Sequence, residues 1–153
     1  MATTAILPKR SAPAALTITL ASLASGSARQ ASIVDNSTTR YQRIYLAAKV
    51  KLGTSPTANT LVSLYLIRSD GTITTDGAGS SDAAITLKNA QTLGTLSTGG
   101  SPATGDTLTD VFVVENPGPQ WTVAVLNSTG AALDATAGNH LIEWVGEYLE
   151  IQA

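Results

Sequence analysis

Between Ile44 and Leu52 every second residue is aliphatic (Ile44, Leu46, Ala48, Val50, Leu52), with Lys49 and Lys51 set between them. A period of two puts those aliphatic side chains on one face of a strand and the lysines on the other. Similar strand patterns predict about eight strands: Leu16–Leu20, Ala28–Val34, Ile44–Leu52, Thr60–Arg68, Thr92–Ser97, Leu108–Glu115, Trp121–Asn127 and His140–Ile151. Turn chemistry separates them. Asp35-Asn36-Ser37 tolerates left-handed backbone, Asp70-Gly71 signals a turn, and Gly53-Thr-Ser-Pro56 and Asn116-Pro-Gly-Pro119 interrupt any ladder. No stretch of eleven residues carries helical spacing with caps, and Ala83–Asn89 reads equally as a helical turn or a further strand.

Two strands make specific statements about their faces. In the last one, Ile142, Trp144 and Tyr148 share a face, while Glu143, Glu147 and Leu149 share the other. In Thr60–Arg68, Val62, Leu64 and Leu66 stand opposite the equally apolar Leu61, Tyr65 and Ile67. Such a strand is either buried on both sides or lends one face to a subunit interface. The whole pattern predicts an all-β fold: an antiparallel two-sheet β-sandwich, jelly-roll-like, with an immunoglobulin-like sandwich as the alternative. Residues 1–15, with Pro8, Pro13 and little periodicity, are expected as an extended N-terminal arm, and residues 16–153 as one sandwich domain. Proline fixes φ and lacks a donor, so that segment cannot form a central strand.

Composition narrows the chemistry. The chain has 153 residues, is 43% hydrophobic but only 5% aromatic, and carries 13% charged residues with a net charge of −2. That length supports a core without staples. No basic stripe exists to displace counterions from a nucleic acid or to seek an anionic membrane, and Lys9-Arg10 is the one adjacent basic pair. No run approaches the roughly 18 apolar residues of a membrane-spanning helix. Absence of cysteine excludes disulfides and thiolate metal sites and fits synthesis in a reducing cytoplasm. Lys9-Arg10, the apolar run from Ala14 to Leu23 and the small residues to Ala28 imitate a signal peptide, but Leu16-Thr-Ile-Thr-Leu20 alternates as a strand does.

Candidate chemistry is sparse. His140 is the lone histidine, with Asp134 and Glu143 the nearest acids, and is expected to bond to backbone at a loop-to-strand junction. Asp70, Asp76 and Asp82 recur every six residues without the spacing of a calcium loop. Asp106 with Asp110, or Glu143 with Glu147, would be the carboxylate pairs for glycoside hydrolysis; the second pair is better read as charges that block edge pairing. Trp121, Trp144, Tyr41, Tyr45, Tyr65 and Tyr148 are expected chiefly as core anchors rather than sugar platforms. Asn36-Ser-Thr and Asn127-Ser-Thr match the glycosylation acceptor by chance. The segments Asp70–Asp82 and Gly99–Asp106 are long enough to be functional surfaces or disordered. Neither an enzyme nor a cofactor is expected.

Three segments carry a resemblance: Leu16–Asn36, Val50-Lys-Leu-Gly53 leading into the strand with Tyr65, and Asn127–His140 with the aromatic strand that follows. Together they resemble the small β-rich capsid decoration (cement) proteins of tailed bacteriophages, although the Thr54–Thr75 region is shorter than in those proteins. The resemblance implies a non-enzymatic virion structural protein on the capsid surface, made in the host cytoplasm. It further implies the major capsid protein as partner and a homotrimer. On that reading Pro8, Lys9, Arg10 and Pro13 form a partner-contact arm lying across a neighbouring subunit. Two rivals keep the β-module and change its role: a phage tail or surface-fibre protein that binds host glycans, and a secreted carbohydrate-binding module.

Overall fold

A computed structural model of the chain describes residues 5–77, 79 and 81–152. Its strands are β1 (Ala5–Arg10), β2 (Ala14–Ala15), β3 (Ala28–Gln30), β4 (Val34–Asp35), β5 (Arg43–Lys51), β6 (Leu61–Ser69), β7 (Ala83–Ile85), β8 (Gln91–Ser97), β9 (Thr107–Glu115), β10 (Gln120–Asn127) and β11 (Leu141–Gln152). They form two sheets. The first runs β1-β11-β5-β9, with β2 also on β11, and the second runs β7-β3-β10-β6-β8, with β4 also on β10. The pairings between strands are antiparallel. The chain is an all-β two-sheet sandwich, as its period of two requires.

The alternation in β5 becomes the core directly: Ile44, Leu46, Ala48 and Val50 are buried, and the residues between them are half-exposed. They meet Val62, Leu64 and Leu66 of β6 and Trp121, Val123 and Val125 of β10 across the sandwich. Ile142 and Trp144 of β11 join the same core, on the face the sequence assigns them. The edge of the Trp144 ring system stands against Trp121 at 5.2 Å and 87°, and Tyr41 packs at 75° on the other flank. Aromatic residues are few, and these three are used to join the two sheets.

Two expectations change. Leu16–Leu20 is extended and alternates in burial, with Leu16 and Leu20 buried, yet it joins no ladder. Its backbone ties are single: Leu16 N–H donates to Ile142 O at 2.8 Å, and Thr17 O accepts from Ser32 N–H at 2.9 Å. The segment crosses from one sheet to the other, which gives it the burial of a strand without a neighbour to pair with. The expected free arm is instead paired. Residues 5–10 run antiparallel to Glu147–Gln152, and Ala14–Ala15 to Glu143–Trp144. Pro8, opposite Leu149, is tolerated because β1 is an edge strand. Met1–Thr4 lie outside the described residues. Beyond Glu147, β11 pairs only with β1, so the two form a ribbon extending past β5.

The outer faces of the two sheets differ. On the second sheet, Ile67, Thr122, Ala124 and Gln30 point away from the core and are all buried. Part of the long 70–82 segment folds back over them: Gln30 Nε2 donates to Gly79 O at 2.7 Å, and Gly77 sits against Gln30 and Ile67. The doubly apolar strand β6 is therefore buried on both sides around Ile67. On the first sheet nothing comparable among the described residues covers the outer face, where Val111 is 59% exposed and Val113 53%.

Candidate interaction surface

The groups with chemical potential are occupied by the fold. His140 Nδ1 accepts from Lys51 N–H at 3.3 Å, while Nε2 donates to Asp134 O at 2.9 Å. Nδ1 thus ties the turn before β11 to the end of β5, and Nε2 braces that turn on its own backbone, as expected for a junction histidine. The three loop acids do not converge. Asp70 accepts from the N–H groups of Thr72 and Ile73, and Asp76 from those of Gly77, Lys88 and Asn89. Asp82 binds Arg29 and the Thr19 hydroxyl. Burial works against the Asp82 charge, but the bonds from Arg29 and Thr19 outweigh it and hold the carboxyl below its ordinary range. Among the described residues no group of three or more His, Asp or Glu side chains is placed to hold a metal ion.

Both acceptor-motif asparagines are buried and fully used. Asn36 Nδ2 donates to Tyr41 O and Gly118 O, and its Oδ1 accepts from Tyr41 N–H. Asn127 Nδ2 donates to Leu23 O and Ala131 O, while Oδ1 accepts from Thr129 N–H and hydroxyl. Each is a clamp on a turn. The carboxylate pairs separate as well: Asp106 caps its own turn at Ala103 N–H, and Asp110 bonds the next residue's N–H at 2.7 Å. Glu143 and Glu147 do share the outer face, but β11 is flanked on both sides by strands. They therefore do not guard an edge. Asp110 has that role, because it sits on the edge strand β9 and takes up the Val111 N–H.

What remains exposed and organised is the outer face of the first sheet. Register defines its rows. Glu115, Arg43, Glu147 and Arg10 are successive cross-strand partners on β9, β5, β11 and β1. Arg43 reaches Glu115 at 2.6 Å and Glu147 at 3.3 Å, and Arg10 lies 3.6 Å from Glu147 and 4.5 Å from the centre of the Tyr45 ring. The next row is Val113, Tyr45 and Val145, and the one after it Val111, Ala47, Glu143 and Ala15. Small Ala47 leaves an open groove of about 380 Å³ bordered by Val111, Leu141 and Glu143. On the other side of the charged row, the ribbon adds Pro8 with Leu149 and Ile6 with Ile151; Ile151 is 69% exposed.

Of the residues expected in a contact arm, Pro8 and Arg10 belong to this face. Lys9 points to the opposite one and binds Glu150 at 2.8 Å, and Pro13 lies between β1 and β2. Val111 and Val113 are the residues that sequence reasoning passed over. The signal was present: Val111-Phe-Val-Val114 is a continuous apolar run, so a period of two must leave half of it outside. A second feature is an open cleft of about 760 Å³ at one end of the sandwich, whose lining includes Arg40, Tyr41, Gln42, Glu115, Asn116 and Pro119. Arg40 and Asn116 both hold left-handed backbone there, at φ 56° and 48°. No family model matches the chain, and no curated protein or solved structure does.

Proposed function

We propose that this chain is a non-enzymatic virion structural protein, a self-associating module that binds and stabilises the capsid shell of a tailed phage as a cement or decoration protein. The observation that carries this reading is the asymmetry between the two outer faces. One is covered around Ile67 by part of the chain's own 70–82 segment, while the other presents Val111, Val113, Leu149 and Ile151 around an ordered row of charges. Exposed apolar patches on both sides of an ordered row of charges mark a contact site. The resemblance to decoration proteins supplies the partner, the major capsid protein.

The mechanism would be burial of surface. Repeated contacts on a symmetric shell add up, so each one can be modest while the shell resists pressure and heat. Particles stripped of the protein and then reloaded test this. Reloading should raise the temperature at which the shells open and release DNA; identical opening with and without the protein would remove the cementing role.

The cleft at Arg40 and Asn116 favours one second reading, a tail or fibre protein that binds host glycans there. Trp121 and Trp144 are core residues, so Arg40, Gln42 and Asn116, with Tyr41 as the aromatic wall, would recognise the sugar. Binding on a glycan array that is abolished by Arg40→Ala would favour this reading over cementing.

A further inference from the structure

We infer that the outer face of the first sheet pairs with the same face of a second copy of this chain, about a twofold axis parallel to the strands. The charged row decides the occupant and the axis. Read across the sheet it is Glu115, Arg43, Glu147, Arg10, alternating in sign. A twofold axis along the strands, lying in the interface between β5 and β11, reverses the order of the row and keeps its height. Glu115 then stands over Arg10 of the second copy, and Arg43 over Glu147 of the second copy. All four juxtapositions are attractive. An axis perpendicular to the strands in the same plane would lay each charge over its own kind, which is repulsive. The row is thus self-complementary for one orientation only, the property an isologous interface requires.

The neighbouring rows fit the same operation. Val113 and Val145 flank Tyr45, and under the axis Tyr45 faces Val145 of the second copy. Val111 comes over Ala15 of the second copy, large against small. The part of the sheet that overlaps its copy under this axis, four columns about 4.8 Å apart and about seven residues deep at about 3.3 Å per residue, gives a flat footprint of roughly 450 Å². Side-chain relief adds to it, but the ribbon carrying Ile6 and Ile151 runs past β5 and lies outside the overlap, so the area stays below the roughly 800 Å² per partner of a standard interface and the charge pairing supplies the specificity.

This deepens the proposed structural role and rests on it only in taking this face as an interface. Rotation about the strand direction leaves both copies presenting the same end of the sandwich. A dimer so built offers two identical ends to a shell, and icosahedral shells have twofold as well as threefold positions.

Sedimentation equilibrium on the purified full chain is the test, against a chain mass of 15.6 kDa. The expected result is a dimer of twice that mass. Val113→Lys should weaken association at least tenfold while circular dichroism and the melting curve show an intact fold. Arg10→Glu and Glu115→Arg should each weaken it several-fold, and the double variant R10E/E115R should recover it. That recovery cannot come from pairs within one chain, because the double variant sets like charges side by side there: the new arginine of E115R adjoins Arg43, and the new glutamate of R10E adjoins Glu147. A monomer, a trimer indifferent to Val113→Lys, or a double variant weaker than both single ones would overturn the inference. No phage particle enters these measurements. A dimer that leaves shells unstabilised would refute the cementing role alone, and a cementing monomer whose shell binding Val113→Lys removes would assign the face to the capsid protein.

Discussion

Gly146 is where β11 makes room for the aromatic cluster, and adding one methyl there should be costly. A Cβ at this position would lie 2.3, 2.5 and 2.7 Å from three atoms of the Tyr41 ring. Ordinary carbon contacts are about 3.5–4.0 Å, so the ring must retreat by more than about 1 Å. It has little freedom to do so, because it packs edge-on against Trp144 at 5.2 Å and Tyr148 at 5.9 Å. Overpacking of this kind costs about 1–3 kcal/mol. Replacing glycine in a strand returns roughly 0.5–1 kcal/mol of chain entropy. With the ring so confined, Gly146→Ala should destabilise the fold by about 2 kcal/mol, which lowers Tm by roughly 4–8 °C for a chain of this size. Urea and thermal unfolding of Gly146→Ala, Tyr41→Ala and the double variant form a cycle. With the ring removed, the added methyl should be neutral or mildly stabilising. An unchanged Tm for Gly146→Ala alone, or an equal loss in both backgrounds, would show that the Tyr41 ring does not set the cost.

The carboxyls of Asp35, Asp70, Asp76, Asp82 and Asp134 are all held below their ordinary value of 3.8 in the folded state. Their contribution to stability is present above about pH 4 and is lost as pH falls through the folded-state values, so Tm should be flat from pH 7 to 5 and drop below 4, less steeply in Asp82→Asn. Asp110→Val frees the Val111 N–H and flattens the β9 edge, and light scattering at high protein concentration should show sheet-edge aggregation absent from the parent chain. Gln30→Ala removes the latch on Gly79, and limited proteolysis should then cut within 70–82 many times faster while the core strands stay protected.

The parts of the fold legible in the sequence were those where one strand has a wet face and a dry one. β5 could be read residue by residue because Lys49 and Lys51 mark its outer side, and β11 because Glu143 and Glu147 do. Leu16–Leu20 shows the limit of that reasoning: alternation reports burial, and burial does not require a hydrogen-bonded neighbour. The pairing of β1 was hidden for a related reason. Its register is supplied by the far end of the chain, Glu147–Gln152, most of which has no other strand to bond. The cover over Ile67 was illegible because it depends on Gln30 reaching Gly79, a contact 49 residues apart. The sequence left β6 open between double burial and a subunit interface, and that contact closes the question for Ile67 in favour of burial.

The interaction surface was only half legible. Pro8 and Arg10 were singled out as arm residues, and they lie on the exposed face, but as a fixed edge strand rather than a free tether. The partners that give Arg10 its meaning, Tyr45, Glu147 and, through Arg43, Glu115, come from three other strands. Only the register brings them into one row.

A protein that works through the bare outer face of its first sheet must cover that face when it is in place. Hydroxyl-radical footprinting, comparing dilute free chain with chain loaded on capsid shells, reads this residue by residue. Tyr45, Leu149, Ile151 and Ile6 should lose labelling on the particle, while Ile73, exposed in the 70–82 segment on the other sheet, should label equally in both states. Equal labelling of the first set in both states, or protection confined to Ile73, would mean that the chain does not work through this face.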